Sequence, residues 1–142
     1  MASIFTQIID GKLPGRFVWS DEQCVAFLTI HPIRPGHTLV VPRAEIDHWL
    51  DLDPALANHL TIVAQSIGRA IQRAFQPVKV ALMIAGLEVL HTHLHLFPIR
   101  ELADINPANQ DLRAKPEDLD EAARKIRDAL RALGYAQASD RP

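Results

Sequence analysis

Three histidines, His91, His93 and His95, stand at alternate positions in the stretch HTHLHLF. Successive side chains of a β-strand point to opposite faces, so a strand here would place the three imidazole rings on one face, about 7 Å apart. A neutral imidazole with a proton on one nitrogen can attack phosphorus through the other and hold the transferred group until water takes it. Neighbouring imidazoles can hydrogen-bond the phosphate oxygens or deliver a proton. The spacing is therefore compatible with phosphorus chemistry.

The same spacing has two other interpretations. A solvated strand face could carry the rings, although three aligned imidazoles seldom arise without a function. His-x-His on a strand is also a metal-ligand spacing, so a histidine-ligated metal site stays open. No carboxylate follows in the same block, which weakens the metal interpretation.

The composition is that of a single globular domain. The chain has 142 residues, 48% of them hydrophobic and 23% charged, which is enough to bury a core without disulfides. A formal net charge of −2 gives no general attraction to nucleic acid or to an anionic membrane, so neither partner is predicted. Cys24 is expected to be a small buried residue. No apolar run reaches the length of a membrane span and no signal peptide is recognisable, so a cytoplasmic protein is expected.

Signals for helices and strands succeed one another along the chain. Asp53 followed by Pro54 predicts the start of a long helix, because aspartate caps a helix and proline fits its first position. Apolar residues then recur every three or four positions as one stripe. Shorter helices are predicted over 3–9 and from 116 to 134, and strands over 17–19, 24–30, 38–42, 78–84 and 91–97. This order predicts an α+β domain, an antiparallel sheet with one long covering helix.

The carboxyl-terminal part is predicted to be an extension of that domain. We expect one domain over 1–136, in which 101–136 is an extension with the last helix, and a disordered tail over 137–142. Two isolated histidines are expected to have no role in chemistry. His37 would satisfy buried backbone in a turn, and His59 would be solvated on the long helix.

The histidine stretch resembles the His-φ-His-φ-His-φ-φ signature (φ, hydrophobic) of the histidine-triad (HIT) family of nucleotide hydrolases and transferases. The similarity extends from Ile4 to Pro98 and comprises blocks in the family's order: IIDGKLP, AFL, PGHTLVVP, the helix after Asp53, and the histidine stretch itself. The resemblance implies an α+β fold whose homodimer forms one ten-stranded sheet. It also implies that His93 attacks the α-phosphate of a nucleotide conjugate, that His91 positions His93, and that His95 lies beside the phosphate or leaving group.

Several positions depart from the family pattern. The Cys-x-x-Cys that binds zinc in some members is Ser3-Ile4-Phe5-Thr6 here, and hydroxyls are poor zinc ligands, so neither metal nor cofactor is expected. The aspartate that holds ribose in the family is replaced by Thr29, followed by Ile30, so ribose binding is expected to be weaker or built differently. An upstream histidine of the family falls on Glu45, and whether His48 replaces it stays open.

The loop before the triad is shorter than in typical members. Only Ala85–Leu90 remains, in which Gly86 and Glu88 are candidate substrate contacts. A carboxylate aimed at a phosphate would be repelled, so Glu88 is expected to turn away, the alternative being that it handles a proton or leaving group. His31 is expected at the surface, with a substrate contact as the alternative.

The resemblance favours a hydrolase or nucleotidyl transferase acting on phosphoramidate or dinucleoside polyphosphate conjugates, with a purine nucleotide expected. A nucleotide-binding signalling module with little catalysis is one alternative, because Thr29 and Glu88 change the substrate contacts. A histidine-ligated metalloprotein is the other.

Overall fold

The fold is one five-stranded antiparallel sheet with helices on both faces. The computed structural model describes all 142 residues. In chain order the elements are α1 (Ile4–Ile9), β1 (Phe17–Ser20), β2 (Cys24–Leu28), β3 (Thr38–Pro42), α2 (Pro54–Phe75), β4 (Lys79–Met83), β5 (Leu94–Ile99) and α3 (Pro116–Ala132). The strands lie in the order β1-β2-β3-β5-β4. This confirms the α+β prediction with a long covering helix. No helix has the length and apolar composition needed to cross a membrane.

The two faces of the sheet have separate cores. Cys24 and Leu28 of β2, with Leu94 of β5, point toward α2 and α3 and join a cluster of 20 buried residues. Val25 and Phe27 point the other way and pack near α1 in a smaller cluster. This alternation follows from the two-residue period of a strand. It places His95, whose parity in β5 is opposite to that of Leu94, on the α1 side. His93 directly precedes β5 and contacts Phe5 of α1 on the same side.

Helix α2 begins and ends where local chemistry predicts. The Asp53 carboxylate accepts a hydrogen bond from the Ala55 N–H and Pro54 occupies the first turn. Gln76 adopts a left-handed conformation at the carboxyl end. The expectation that His59 on this helix is solvated is wrong, because its Nε2 lies 2.9 Å from Oδ2 of Asp21 in the β1–β2 turn.

The strand expected to carry all three histidines begins later than predicted. β5 begins at Leu94, so His91 and His93 precede it rather than lie in it. Its pairing with β3 ends at Val40 opposite Leu94. Beyond that pair, Pro42 of β3 has no N–H to donate, and its carbonyl accepts a hydrogen bond from the His91 side chain. The ladder therefore cannot continue toward His91.

The two edges of the sheet differ. Beside β1, the Ser20 N–H donates to the Gln137 carbonyl at 3.0 Å and the Ser139 N–H donates to the Val18 carbonyl at 3.1 Å. The expectation of a disordered tail is therefore corrected for residues 137–139. At the opposite edge, β4 pairs only with β5 and is otherwise open.

Candidate active site

The hydrogen bond of His93 defines its reactive nitrogen. His93 is buried, and its Nδ1 lies 2.7 Å from the backbone carbonyl of His91. A carbonyl can only accept, so Nδ1 carries the proton and Nε2 keeps a free lone pair. Burial lowers the pKa of His93, although the bond to His91 and the charge of Glu88 oppose that shift. The ring is therefore neutral at pH 7, with a nucleophilic Nε2.

His95 carries its proton on the opposite nitrogen, because His37 orients it. The Ile33 N–H donates to Nδ1 of His37 at 3.0 Å, so the His37 proton is on Nε2. That Nε2–H donates to Nδ1 of His95 at 2.9 Å, which leaves the His95 proton on Nε2. Burial and the nearby imidazoles lower the pKa of His37 to about 3 and that of His95 to about 4. Both rings are thus neutral at pH 7, with an N–H donor from His95.

His37 is a residue whose role the sequence interpretation understated. It does satisfy buried backbone as expected, through the Ile33 N–H. Its second ring nitrogen also sets the tautomer of His95, and the two ring centroids are 5.2 Å apart. Sequence position gives no sign of this contact, since residues 37 and 95 are brought together only by the pairing of β3 with β5.

His91 is held from both sides. Its Nε2 lies 2.8 Å from the Pro42 carbonyl, so Nε2 carries the proton. Its Nδ1 then accepts from the hydroxyl of Ser3, the N-cap residue of α1, at 2.7 Å. With both nitrogens used, His91 has no lone pair left for a substrate or a metal. It presents its backbone carbonyl to His93 instead.

The positions of the family's zinc site are joined by hydrogen bonds. Thr6 donates its hydroxyl to Glu45 at 2.7 Å, and the Ser3 N–H donates to the same carboxylate at 2.6 Å. The two hydroxyls are engaged and are poor zinc ligands, so this set does not fit zinc. Glu45, rather than His48, joins the group around His91. His48 instead caps the short turn Trp49–Asp51.

The candidate ribose contacts lie next to the His37–His95 pair. Thr29 and Ile30 follow the end of β2, and the Thr29 N–H donates to the His37 carbonyl at 3.3 Å. The Thr29 hydroxyl accepts from the His31 N–H at 3.2 Å and retains its own proton as a donor. Ile30 is 61% exposed and thus available to a ligand.

Gly86 and Glu88 line two different clefts. Gly86, with φ +76°, lies in a cleft of about 280 Å³ together with Asp47 and Thr92. Glu88 lies in a cleft of about 390 Å³ with Ser3 and Glu45. Neither cleft is lined by His93 or His95. The Glu88 side chain is exposed. Its negative charge still acts on His93, because it raises the pKa of that ring against the lowering caused by burial.

The arrangement of the three histidines does not suit a shared metal ion. Both nitrogens of His91 and Nδ1 of His93 are engaged in hydrogen bonds to backbone or hydroxyl groups. The one cluster with three ligand atoms in close proximity lies elsewhere, at Asp21, Cys24 and His59. The ring centroids of His93 and His95 are instead 4.7 Å apart. A nitrogen lone pair on His93 and an N–H donor on His95 therefore lie side by side.

Comparison with known proteins agrees with this geometry. The profile of the HIT domain matches residues 10–102. The chain belongs to the HIT family. Within the family, it is 34% identical over 131 residues to Protein hit of Bacillus subtilis, across 87% of this chain and 90% of that protein. Its fold matches a Zn-bound histidine triad family protein from Mycobacterium smegmatis with a TM-score of 0.80 and 30% identity, covering 96% of this chain and 98% of that one.

A further relative has a named activity. Adenylylsulfatase HINT3 of Arabidopsis thaliana is 26% identical over 133 residues, across 90% of this chain and 67% of that protein. The HIT family thus comprises nucleotide-binding proteins and includes hydrolases.

Proposed function

We propose that this HIT protein is a hydrolase or nucleotidyl transferase in which Nε2 of His93 attacks the α-phosphate of a nucleotide conjugate. The observation that carries the proposal is the hydrogen bond from Nδ1 of His93 to the His91 carbonyl. It keeps the lone pair on Nε2, the nitrogen a nucleophile requires. Phosphoramidate and dinucleoside polyphosphate conjugates are the proposed substrates, and the name of the Arabidopsis relative, an adenylylsulfatase, supports a nucleotide conjugate.

The neighbouring rings support the covalent step. As the bond from Nε2 of His93 to phosphorus forms, the bond to the leaving group breaks and the leaving group takes the electron pair. The Nε2–H of His95 donates to a phosphate oxygen or to the leaving group. His95 stays neutral in this step, because the Nε2–H of His37 already donates to its Nδ1. The leaving group therefore takes its proton from solvent. Water then attacks phosphorus, the phosphorus–Nε2 bond breaks, and His93 takes back that electron pair as a neutral imidazole. The attacking water releases one proton to solvent.

Four further residues are proposed to contact the substrate. Thr29 and Ile30 would lie against the ribose and base, which we propose to be a purine, because they follow β2 beside His37. Gly86 and Glu88 would border the leaving group, since the loop over 85–90 leads directly into the triad. The exposed Glu88 carboxylate would disfavour a highly anionic leaving group by charge repulsion.

A nucleotide-binding module with little catalysis is the second candidate. It is favoured by the Thr29 hydroxyl, which already accepts from His31 and is neutral, and by the charge of Glu88 near His93. This candidate predicts nucleotide binding with negligible turnover across phosphoramidate, polyphosphate and sulfate conjugates.

A homodimer built on the open edge of the sheet is also proposed. β4 is the edge strand without a second neighbour, and its Leu82 side chain is 51% exposed. The other edge, at β1, is already covered by residues 137–139. Open edge strands with apolar side chains pair readily, so two copies of β4 would join the sheets into ten strands.

The proposal is tested by the covalent intermediate. Intact-mass spectrometry after rapid mixing with an adenosine phosphoramidate should detect a nucleotidyl adduct on the wild type. His93→Ala should give no adduct and lose turnover. His48→Ala is the matched control, because His48 is exposed and caps a turn outside the triad.

Two results would contradict the proposal. One is turnover by His93→Ala equal to that of the wild type. The other is nucleotide binding by the wild type without adduct or turnover, which would favour the binding module.

A further inference from the structure

A second cluster of reactive side chains lies on the face of the sheet opposite the triad. Asp21 lies in the β1–β2 turn, Cys24 begins β2, and His59 lies in the second turn of α2. Cys24 packs in the core beneath α2, whereas His91 and His93 contact Phe5 on the other face. The cluster is therefore separate from the candidate active site.

The three ligand atoms are close enough to share one ion. Nε2 of His59 lies 2.9 Å from Oδ2 of Asp21, and Sγ of Cys24 lies 3.5 Å from the same oxygen. All three atoms are within 4.8 Å of one another. In a tetrahedral zinc site with bonds of about 2.0–2.3 Å, neighbouring ligand atoms lie roughly 3.3–3.8 Å apart. Small side-chain shifts bring these atoms to that spacing.

We propose that Asp21, Cys24 and His59 form a binding site for Zn²⁺, with water in the fourth position. Thiolate, imidazole and carboxylate are the three side-chain ligands that zinc accepts. The ion can enter from solvent, because the side chains of His59 and Asp21 are 29% and 16% exposed. Cys24 closes the site from the buried side.

The carboxylate is held in place by groups that are not ligands. The N–H groups of Gln23 and Cys24 each donate to Oδ1 of Asp21 at 2.8 Å, and Nε1 of Trp19 donates to Oδ2 at 2.8 Å. Such outer contacts orient a ligand and raise metal affinity. Arg43 donates to the backbone carbonyl of Asp21. A divalent ion with one thiolate and one carboxylate is neutral, so the guanidinium faces no net positive charge.

Binding changes the protons of the cluster in a defined way. Without metal, the Cys24 thiol and the Nε2–H of His59 both donate to Oδ2 of Asp21. When zinc binds, the metal–sulfur bond replaces the S–H bond and the thiol proton is released to solvent. Nε2 of His59 gives up its proton and is then free to ligate. The thiol of Cys24 thus contributes one released proton for each bound ion.

The experiment is a titration of the full chain with Co²⁺, which occupies zinc sites and absorbs when bound by thiolate. We expect one Co²⁺ per chain, a thiolate-to-cobalt absorption band, and loss of that band when Zn²⁺ is added. Cys24→Ser should abolish the band. Loss of a contact outside the ligands typically lowers metal affinity roughly 10–100-fold. His59→Gln removes a ligand and should lower the Co²⁺ affinity by more than that. His48→Gln, a matched change at an exposed histidine, should leave the titration unchanged.

Control variants separate this site from the triad. His93→Ala should retain the cobalt band, because the triad lies on the other face. The proposal would be overturned if the wild type bound neither Co²⁺ nor Zn²⁺. It would also be overturned if Cys24→Ser still bound the metal while His93→Ala did not. An unchanged titration of His59→Gln would also overturn the ligand set. If Cys24→Ser fails to fold by circular dichroism, the partly exposed His59→Gln change decides the question alone.

Discussion

At the triad, the placement of single protons distinguishes three chemically identical side chains. His93 holds its proton on Nδ1 because a backbone carbonyl accepts there, so Nε2 is the nucleophile of the proposed reaction. His95 holds its proton on Nε2 because His37 donates to Nδ1. His91 uses both nitrogens in hydrogen bonds. The three rings thus differ in function through their partners and not through their own chemistry.

The orienting role of His37 predicts unequal effects of two substitutions. His37→Phe removes the donor to His95 and should lower kcat for an adenosine phosphoramidate by about 10–100-fold, the equivalent of one lost oriented hydrogen bond, with KM little changed. His37→Gln keeps a side-chain N–H near the position of Nε2 and should lose less. Steady-state kinetics of both variants give the comparison. Equal losses would show that His37 acts only through packing.

At the level of elements, three separate chain segments meet around His91. The N-cap of α1 contributes Ser3, the loop after β3 contributes Glu45, and the segment before β5 contributes His91 itself. Thr92 fixes that segment further, since both its N–H and its hydroxyl donate to the Ile46 carbonyl at 2.7 Å. Hydrogen bonds thus join elements at a position where the family pattern has zinc ligands.

Substitution of Ser3 should therefore lower the free energy of unfolding markedly, although Ser3 caps a helix of only six residues. Ser3→Ala removes a helix cap, worth about 1 kcal/mol, and leaves Nδ1 of buried His91 unpaired, worth about 1–3 kcal/mol. We expect the free energy of unfolding in urea to fall by about 2–4 kcal/mol. Ser3→Thr keeps the hydroxyl and should cost far less. Similar losses in the two variants would argue against the hydroxyl contact.

At the scale of the whole molecule, the sheet has one closed edge and one open edge. Residues 137–139 cover β1, whereas β4 exposes its unpaired backbone and apolar side chains. Exposed edges tend to pair, so growth of the sheet can proceed in one direction only. If two copies pair through β4 as proposed, this asymmetry would limit the assembly to a dimer.

The proposed dimer is tested with two matched changes of leucine to lysine. Leu82→Lys places a charge on the open β4 edge and should convert a dimer into a monomer in sedimentation equilibrium. Leu112→Lys changes a residue that is 68% exposed in the carboxyl-terminal extension and should leave the dimer intact. A monomeric wild type, or dissociation by both changes alike, would contradict assembly through β4.

The buried histidines also predict how stability depends on pH. Burial holds the pKa of His37 near 3 and that of His95 near 4, below the ordinary value of 6.5 in the unfolded chain. Between pH 6.5 and 4 the unfolded state binds more protons, so stability falls as pH falls. Each such group contributes up to about 1.4 kcal/mol per pH unit. The free energy of unfolding, measured in urea at several pH values, should fall less steeply with falling pH for His37→Gln than for the wild type. Equal dependence on pH in the two proteins would contradict this origin.

The local patterns predicted much of the fold because their causes are local. The cap at Asp53, the proline after it and the apolar stripe all belong to α2 and lie within a few turns of one another. The same holds for α3 and for β3. The start of β5 was mispredicted because Pro42, distant in sequence, ends the ladder. The attachment of Gln137 to β1 was missed for the same reason, since its partner lies at the other end of the chain.

The spacing of the histidines and the sequence blocks that resemble the HIT family were sufficient to predict a nucleophile suited to phosphorus and to indicate the α+β fold of the family. They were sufficient because alternation and blocks of residues are properties of the chain itself. Tertiary structure alone decided which nitrogen of each ring carries the proton, that His37 orients His95, and that Ser3 and Glu45 surround His91. It alone brought Asp21, Cys24 and His59 together. Hydrogen bonds between distant segments depend on how strands and helices pack, and no local pattern encodes that.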